Sequence, residues 1–349
     1  KMTKRFRINN DGTLEGDVSD TKFATRSCPI SSWYHVATFL FFNTFVLSYF
    51  IPFVFFALLT WYFYNYGSWI SLSITIIIFL YIEFHPVSLW RECIQLPAYY
   101  IQYNYFSYRF VYHSSTKDYI ARQLMGDKSA SSLIIFGVPH AIFPYAMQLM
   151  PPIAKDILNK PIVSCMADVL YYLPVIRQLF QWTGCISASK KSIINAMSKG
   201  YNVGLVADGI AGMFVKSEKN ESILLKKRKG IAKLSLQQGT SVVPTYGFGS
   251  TALFTSYVDD YGIMQALSRR LKMSLIAFAG KYWTLAPERM PLYYVMGPVC
   301  ENPNHGTPIK NPTQKQIDEY HEKILLSLKT LFDAHKGFYG WQDKEIDFI

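Results

Sequence analysis

Between residues 36 and 64 the chain carries no charged side chain. A run of that length has to be removed from water, since about 20 apolar residues already suffice to cross a bilayer. Phe, Leu, Val and Tyr dominate it, and Pro52 inside it permits a kink or a shallow re-entrant shape. After a break at Asn65-Tyr66-Gly67-Ser68, a shorter apolar run covers residues 69–82 and closes at Glu83 and His85. Basic residues precede the first run and follow the second (Arg91, Arg109), while the turn between them has none. By the positive-inside rule both ends face the cytosol, so residues 33–85 are expected to form a transmembrane or re-entrant helical hairpin. Residues 1–32 are polar and basic and read as a poorly ordered cytosolic tail, without the apolar core and cleavage site of a secretory signal.

Residues 86–130 are rich in aromatic side chains, among them Trp90, Tyr99, Tyr103, Tyr105 and Tyr108. Rings that can be half wet suit the headgroup layer, and this stretch is expected to be an aromatic interfacial linker. From residue 131 the pattern changes. Strand-like runs fall at 133–136, 162–165, 185–188, 203–207, 242–248, 275–278 and 293–296, with helical stretches at 191–199 and 227–238 closed by Gly200 and Gly239. A last helix starts at Thr313, whose spacing from Gln316 is that of a capping box, and puts Ile317, Tyr320, Ile324, Leu328 and Leu331 on one face. Residues 131–349 therefore read as an α/β layered fold with a mainly parallel sheet.

Half the residues are hydrophobic, yet the formal charge is +11. Greasy and basic together suit an anionic membrane surface, or an apolar substrate with a phosphorylated head. There is no zinc-ligand spacing, arginine-rich arm or basic recognition helix, so no nucleic acid partner is expected. The five cysteines (28, 93, 165, 185 and 300) are odd in number and widely spaced with no CxxC pair, as free thiols in a reducing compartment would be. The sequon Asn220-Glu221-Ser222 is then a chance match.

Three motifs could carry chemistry. The run 133–136 stops at Gly137 and delivers His140 directly after Pro139, a stiff turn at a strand end, where α/β folds place their reactive groups. Such a histidine can equally be a core residue satisfied by backbone groups. Ser187-Ala188-Ser189-Lys190-Lys191-Ser192 and Lys226-Lys227-Arg228-Lys229-Gly230 each open a helix with cations and free N–H groups, as an anion site would. In Asp208-Gly209-Ile210-Ala211-Gly212 a carboxylate stands at another strand end, either orienting His140 as a triad acid does or making an ordinary Asp-Gly turn. A GxSxG elbow, a GxxxxGK[ST] loop and an HExxH motif are all missing.

These blocks, in this order, resemble the type-two diacylglycerol acyltransferase family, which includes monoacylglycerol and wax-alcohol acyltransferases. Family members carry His-Pro-His-Gly, or Glu-Pro-His-Ser in plant-like members; here Val138-Pro139-His140-Ala141 is similar to the plant-like form. Further matches are Leu173-Pro174-Val175-Ile176-Arg177 running on to Lys190-Lys191, then Lys229-Gly230 with Val243-Pro244 and Phe248-Gly249, and the tail around Asn311-Pro312-Thr313 and Phe332-Asp333-Ala334-His335-Lys336. There are departures. Val138 and Ala141 replace the outer residues of the tetrapeptide, Tyr145 stands where wider glycerolipid acyltransferases have an aspartate, and Gly212 falls where the family's Gly-Gly-x-x-Glu has its glutamate.

The resemblance implies a membrane-bound O-acyltransferase with a glycerolipid-acyltransferase-like fold. It would move a fatty acyl group from acyl-coenzyme A, its co-substrate and sole cofactor-like partner, to diacylglycerol, with no metal. His140 would be general base with Asp208, or the more distant Asp168, as its carboxylate, and backbone N–H groups near Gly209 or Ala141 would hold the oxyanion. Pro139, Gly209, Lys190, Lys191, Arg228 and Lys229 would line the substrate site, the cations taking the phosphates of coenzyme A. The expected location is the endoplasmic reticulum membrane with the catalytic domain cytosolic, extending to lipid-droplet surfaces. Monoacylglycerol or a long-chain alcohol as acceptor, a catalytically silent lipid-binding relative, and a homo-oligomer all stay open at this level.

Overall fold

The strand at the middle of the sheet, Leu133–Val138, is buried at all six positions. A strand covered on both faces has no reason to alternate polar with apolar, which is why the segment reads as a continuous apolar run. The computed structural model describes residues 31–85, 97–127, 130–151, 160–173, 176–215 and 219–349, with Arg7–Ile8, Leu14–Glu15, Trp90 and Leu158 besides. Most of the expected basic tail, and Cys28, Cys93, Pro174 and Val175, lie outside these residues.

The main sheet has seven strands: β1 (Arg109–Tyr112), β2 (Leu133–Val138), β3 (Ile162–Met166), β4 (Cys185–Ser187), β5 (Asn202–Val206), β6 (Ser241–Phe248) and β7 (Tyr293–Met296). Their spatial order is β1-β7-β6-β2-β5-β3-β4, and every pair is parallel except β7 with β6. The mainly parallel α/β sheet expected from the sequence is present. Ile134, Phe136 and Val138 point into a core covered by α7 (Lys190–Ser198), α8 (Gly230–Gln238) and α10 (Gln314–Lys336). Leu133 and Ile135 point the other way, into a core shared with Phe42 and a set of buried tyrosines. Both halves of the capping box at Thr313 and Gln316 are made, and α10 buries the apolar face expected of it.

Several segments differ from the expectation. The uncharged run is two helices, α1 (Ser32–Leu47) and α2 (Ile51–Tyr66), bent by 60°. Pro52 lies in the first turn of α2, where its missing N–H had no partner to lose, so it starts a helix and does not kink one. Among the described residues no single helix is long and apolar enough to cross a membrane; α1 and α2 reach that length only together. Phe42 of α1 is fully buried in the protein core, whereas α2 pairs with α3 (Trp69–Phe84) and leaves most of its apolar surface exposed. Arg177 and Gln178, on α6 (Ile176–Trp182), donate to the carbonyls of Ile82 and His85 at distances down to 2.6 Å, tying the end of α3 to the sheet's β4 side.

The stretch expected as an interfacial linker folds, over its described part, as α4 (Pro97–Tyr105), the edge strand β1 and α5 (Ser114–Leu124). Its Tyr103, Tyr105, Tyr108 and Tyr119 are buried with hydroxyls donating to backbone carbonyls, so these rings serve the core. The helix expected at 227–238 begins at Gly230, with Lys229 as its N-cap, so its cations stand just ahead of the first turn. The run at 275–278 supplies Ala277–Ala279, which pairs with Thr255–Tyr257 in a ribbon apart from the main sheet. Cys165, Cys185 and Cys300 are free thiols; burial pushes Cys165 up to about 12 and Cys185 to about 11, which leaves both unreactive.

One half-buried histidine on α10 carries a stability prediction. His335 Nδ1 lies 2.8 Å from the Tyr293 hydroxyl, and burial holds its pKa down to about 4 against an ordinary 6.5. The folded protein therefore takes up this proton later than the unfolded chain does. Its contribution is complete above about pH 6.5 and is lost as pH falls toward 4. The loss should reach about 2 kcal/mol by about pH 5. Denaturant titrations across that range should show it, and His335→Gln should flatten the slope.

Candidate active site

His140 follows β2 at the carboxyl end of the parallel strands, between the neighbouring strands β5 and β6, where the chain crosses from one side of β2 to the other. The Val138–Pro139 peptide is cis. The imidazole Nδ1 lies 2.9 Å from the carbonyl oxygen of Ala141. A carbonyl can only accept, so Nδ1 carries the proton and Nε2 is left as the basic nitrogen. Ala141 makes this contact from the left-handed region, at φ +50°, which a residue with a Cβ seldom adopts and which clusters at functional turns.

Asp208, at the end of β5, is 2% exposed, and its Oδ2 accepts the backbone N–H of His140 at 3.0 Å. The carboxylate is thus joined to the histidine's main chain, not to its ring, and its other oxygen has no partner among the described residues. Burial raises the Asp208 pKa; the nearby His140 and Arg228 oppose that rise. Gly209 follows with φ +51°, and a Cβ there would sit 3.3 Å from the Arg228 guanidinium, so this cation lies over the turn. At Gly212 a Cβ would fall 2.3 Å from Asp208 Oδ2. Asp208 and Gly212 are one helical turn apart and compete for the same space, so the acid at the first position requires glycine at the second.

The basic residues separate. Lys190 Nζ donates to Gln237 Oε1 at 2.7 Å, near the end of α8, and Lys191 stays exposed beside it. Lys229, ahead of α8, is bonded to Asp318 at 2.7 Å. The two clusters flank α8, about 10 Å apart along its axis, and do not merge into one site. Asp168 accepts from Ser187 Oγ at 2.5 Å beside β4 and is committed there.

Against the histidine turn lies an open cleft of about 210 Å³ lined by Pro139, Ala141, Ile142, Gly212, Met213, Ser250, Thr251 and Phe254. Ser250 lines this cleft, and its buried Oγ has no partner among the described residues. Below it, the wholly buried Glu221 accepts from Lys344 Nζ at 2.8 Å, Tyr246 at 3.0 Å and Thr251 at 3.3 Å, with the ammonium 4.2 Å over the Trp341 ring. Sequence reasoning missed both residues. Glu221 is hidden inside a sequon, and Ser250 belongs to no GxSxG elbow. The hydroxyl following Phe248-Gly249 at the end of a buried strand was the signal available for Ser250.

Residues 99–348 match the family model for diacylglycerol acyltransferase. The chain belongs to the diacylglycerol acyltransferase family. A Danio rerio relative, diacylglycerol O-acyltransferase 2, is 30% identical over 200 residues, 53% of this chain and 54% of the relative. Mus musculus 2-acylglycerol O-acyltransferase 1 is 31% identical over 51% of this chain and 56% of its own length. Mus musculus acyl-CoA wax alcohol acyltransferase 1 is 31% identical over 49% and 54%. The chain spans about half the length of the curated relatives it matches.

The geometry separates two roles for Asp208 in this family member. If it anchors the main chain of His140, Asp208→Asn keeps an acceptor oxygen and should stay within about 10-fold of wild-type kcat/KM, while Asp208→Ala should lose on the order of 10²-fold. A charge relay to the ring would instead cost on the order of 10⁴-fold in Asp208→Asn as well.

Proposed function

We propose that this protein is an acyl-coenzyme A-dependent O-acyltransferase that acylates diacylglycerol to triacylglycerol, with His140 as general base. The observation that carries the reading is the histidine turn, whose Pro139 and Ala141 line a cleft while the His140 proton is fixed on Nδ1 and Nε2 is left as the basic nitrogen. Nε2 would take the acceptor's hydroxyl proton as that oxygen attacks the thioester carbonyl, a step typically worth on the order of 10²–10⁴-fold. The tetrahedral oxyanion would be met by Ser250 Oγ, which has no partner among the described residues, together with the N–H groups near Gly209 or Ala141. Collapse breaks the carbon–sulfur bond, and the departing thiolate takes the proton back from the imidazolium. A thiol's modest pKa makes a dedicated stronger acid unnecessary.

Arg228 is the cation beside the site and would hold the phosphate nearest the thioester arm, with Lys190 and Lys191 serving an extended ligand across α8. Helices α2 and α3, each of 16 residues, would reach about 24 Å. That falls short of a hydrocarbon core about 30 Å thick, which supports a re-entrant hairpin holding the domain on the cytosolic face of the endoplasmic reticulum or a lipid droplet. The relatives' names span three acceptors, so the deciding experiment supplies labelled acyl-coenzyme A with diacylglycerol, monoacylglycerol and a long-chain alcohol in turn. Labelled triacylglycerol as the main product is expected; product only from another acceptor would move the assignment to that acceptor, and none from any would refute acyl transfer.

A further inference from the structure

Helix α9 (Ile263–Leu271) shows two faces that a helix in a soluble surface would not combine. Ser268 is buried and Met264 packs on the core, while Ile263, Leu267 and Leu271 form a second apolar stripe, four residues apart, that is 64%, 44% and 51% exposed. Arg269, Arg270 and Lys272 flank that stripe and are exposed, whereas the neighbouring Asp259 is occupied in capping the N–H groups of Ile263 and Met264. Close by in the chain, Tyr282 and Trp283 stand in consecutive left-handed conformations, φ +55° and +60°, and are 76% and 82% exposed. A turn in that unfavourable geometry holds two large rings in the open.

The Tyr282–Trp283 turn is continuous with α1. The Tyr282 ring meets Phe39 of α1 at 6.3 Å, and the N–H of Leu285 donates to Asn43 of α1 at 3.1 Å. Met264 of α9 and Phe39 of α1 pack on the same core, and an apolar stripe, flanking cations and amphipathic rings are the composition of an interfacial helix on an anionic leaflet. We infer that α9 and the Tyr282–Trp283 turn form a second membrane contact, lying in the headgroup layer of anionic lipids beside the segment where α1 enters. Because α9 packs on the Gly209–Gly212 turn, this contact also faces the catalytic cleft toward the bilayer. The inference rests on the membrane reading of α1 to α3 and is independent of acyl transfer.

The test places an environment-sensitive fluorescent amino acid at Leu267, at Leu58 of α2, or at Leu326 on the opposite side of the sheet, in the full chain reconstituted into phosphatidylcholine vesicles with or without phosphatidylserine. Expected are a blue-shifted emission quenched by brominated acyl chains at 58 and 267, not at 326, with the effect at 267 growing as phosphatidylserine is added. Combining Arg269→Glu, Arg270→Glu and Lys272→Glu should abolish that growth at 267 and leave 58 unchanged. A water-like emission at 267 with a quenched 58 would overturn the inference while sparing the hairpin; water-like emission at both would overturn both. A shift at 267 that appears in detergent and rises with protein concentration would assign the stripe to a second copy of the chain. A quenched 267 indifferent to phosphatidylserine would overturn the assignment to anionic headgroups.

Discussion

Gly212→Glu is expected to lower acyl transfer by at least on the order of 10²-fold, although it restores the residue that the family pattern carries at this place. The first atom of the new side chain would overlap Asp208 Oδ2, at 2.3 Å, so the aspartate must swing away and release the N–H of His140. Overpacking of this kind typically costs a further 1–3 kcal/mol of stability, roughly. The double variant Asp208→Gly with Gly212→Glu should recover most of the activity, because glycine at 208 opens the space and the glutamate approaches the histidine from one turn along. Kinetics on wild type, both single variants and the double variant form a closed cycle. Additive losses would contradict the shared-space account.

Lys344→Met should destabilise the fold by about 3–5 kcal/mol. Glu221 is fully buried, and Lys344 is its only ion-pair partner among the described residues. Removing the ammonium leaves a carboxylate in a dry site with two hydroxyls from Tyr246 and Thr251, too little to hold its charge. The pair also clips the C-terminal strand Ile346–Phe348 to Glu221–Ile223, so the chain end should fray first, visible as faster amide exchange there. Glu221→Gln combined with Lys344→Met removes both charges and should regain much of the loss. If the single variant unfolds no more easily than wild type, the Glu221–Lys344 pair does not hold this site together.

Legibility in the sequence followed burial and local pattern. Strands β2, β6 and β7 are covered on both faces; β2 and β7 read as unbroken apolar runs and β6 as one interrupted by Pro244 and Thr245, and the capping box at Thr313 announced α10. The edge strand β1 hid among tyrosines because rings suit a core and a headgroup layer equally. His140 and Asp208 were both named from strand ends, yet their relation was not legible. Whether a carboxylate meets a ring or a main-chain N–H depends on a left-handed Ala141 and an empty Cβ position at Gly212, and neither leaves a periodic trace. The Glu221 site joins residues 123 positions apart, Glu221 and Lys344, through a three-residue strand, which no local pattern could reveal.

The central claim is that His140 Nε2 is the base of an acyl transfer. It is tested most directly by membranes carrying wild type or His140→Ala at matched levels, given labelled acyl-coenzyme A and diacylglycerol. Wild type should form labelled triacylglycerol, and His140→Ala should lose on the order of 10²–10⁴-fold of that rate while remaining folded and membrane-bound. Equal rates from the two proteins would contradict the account.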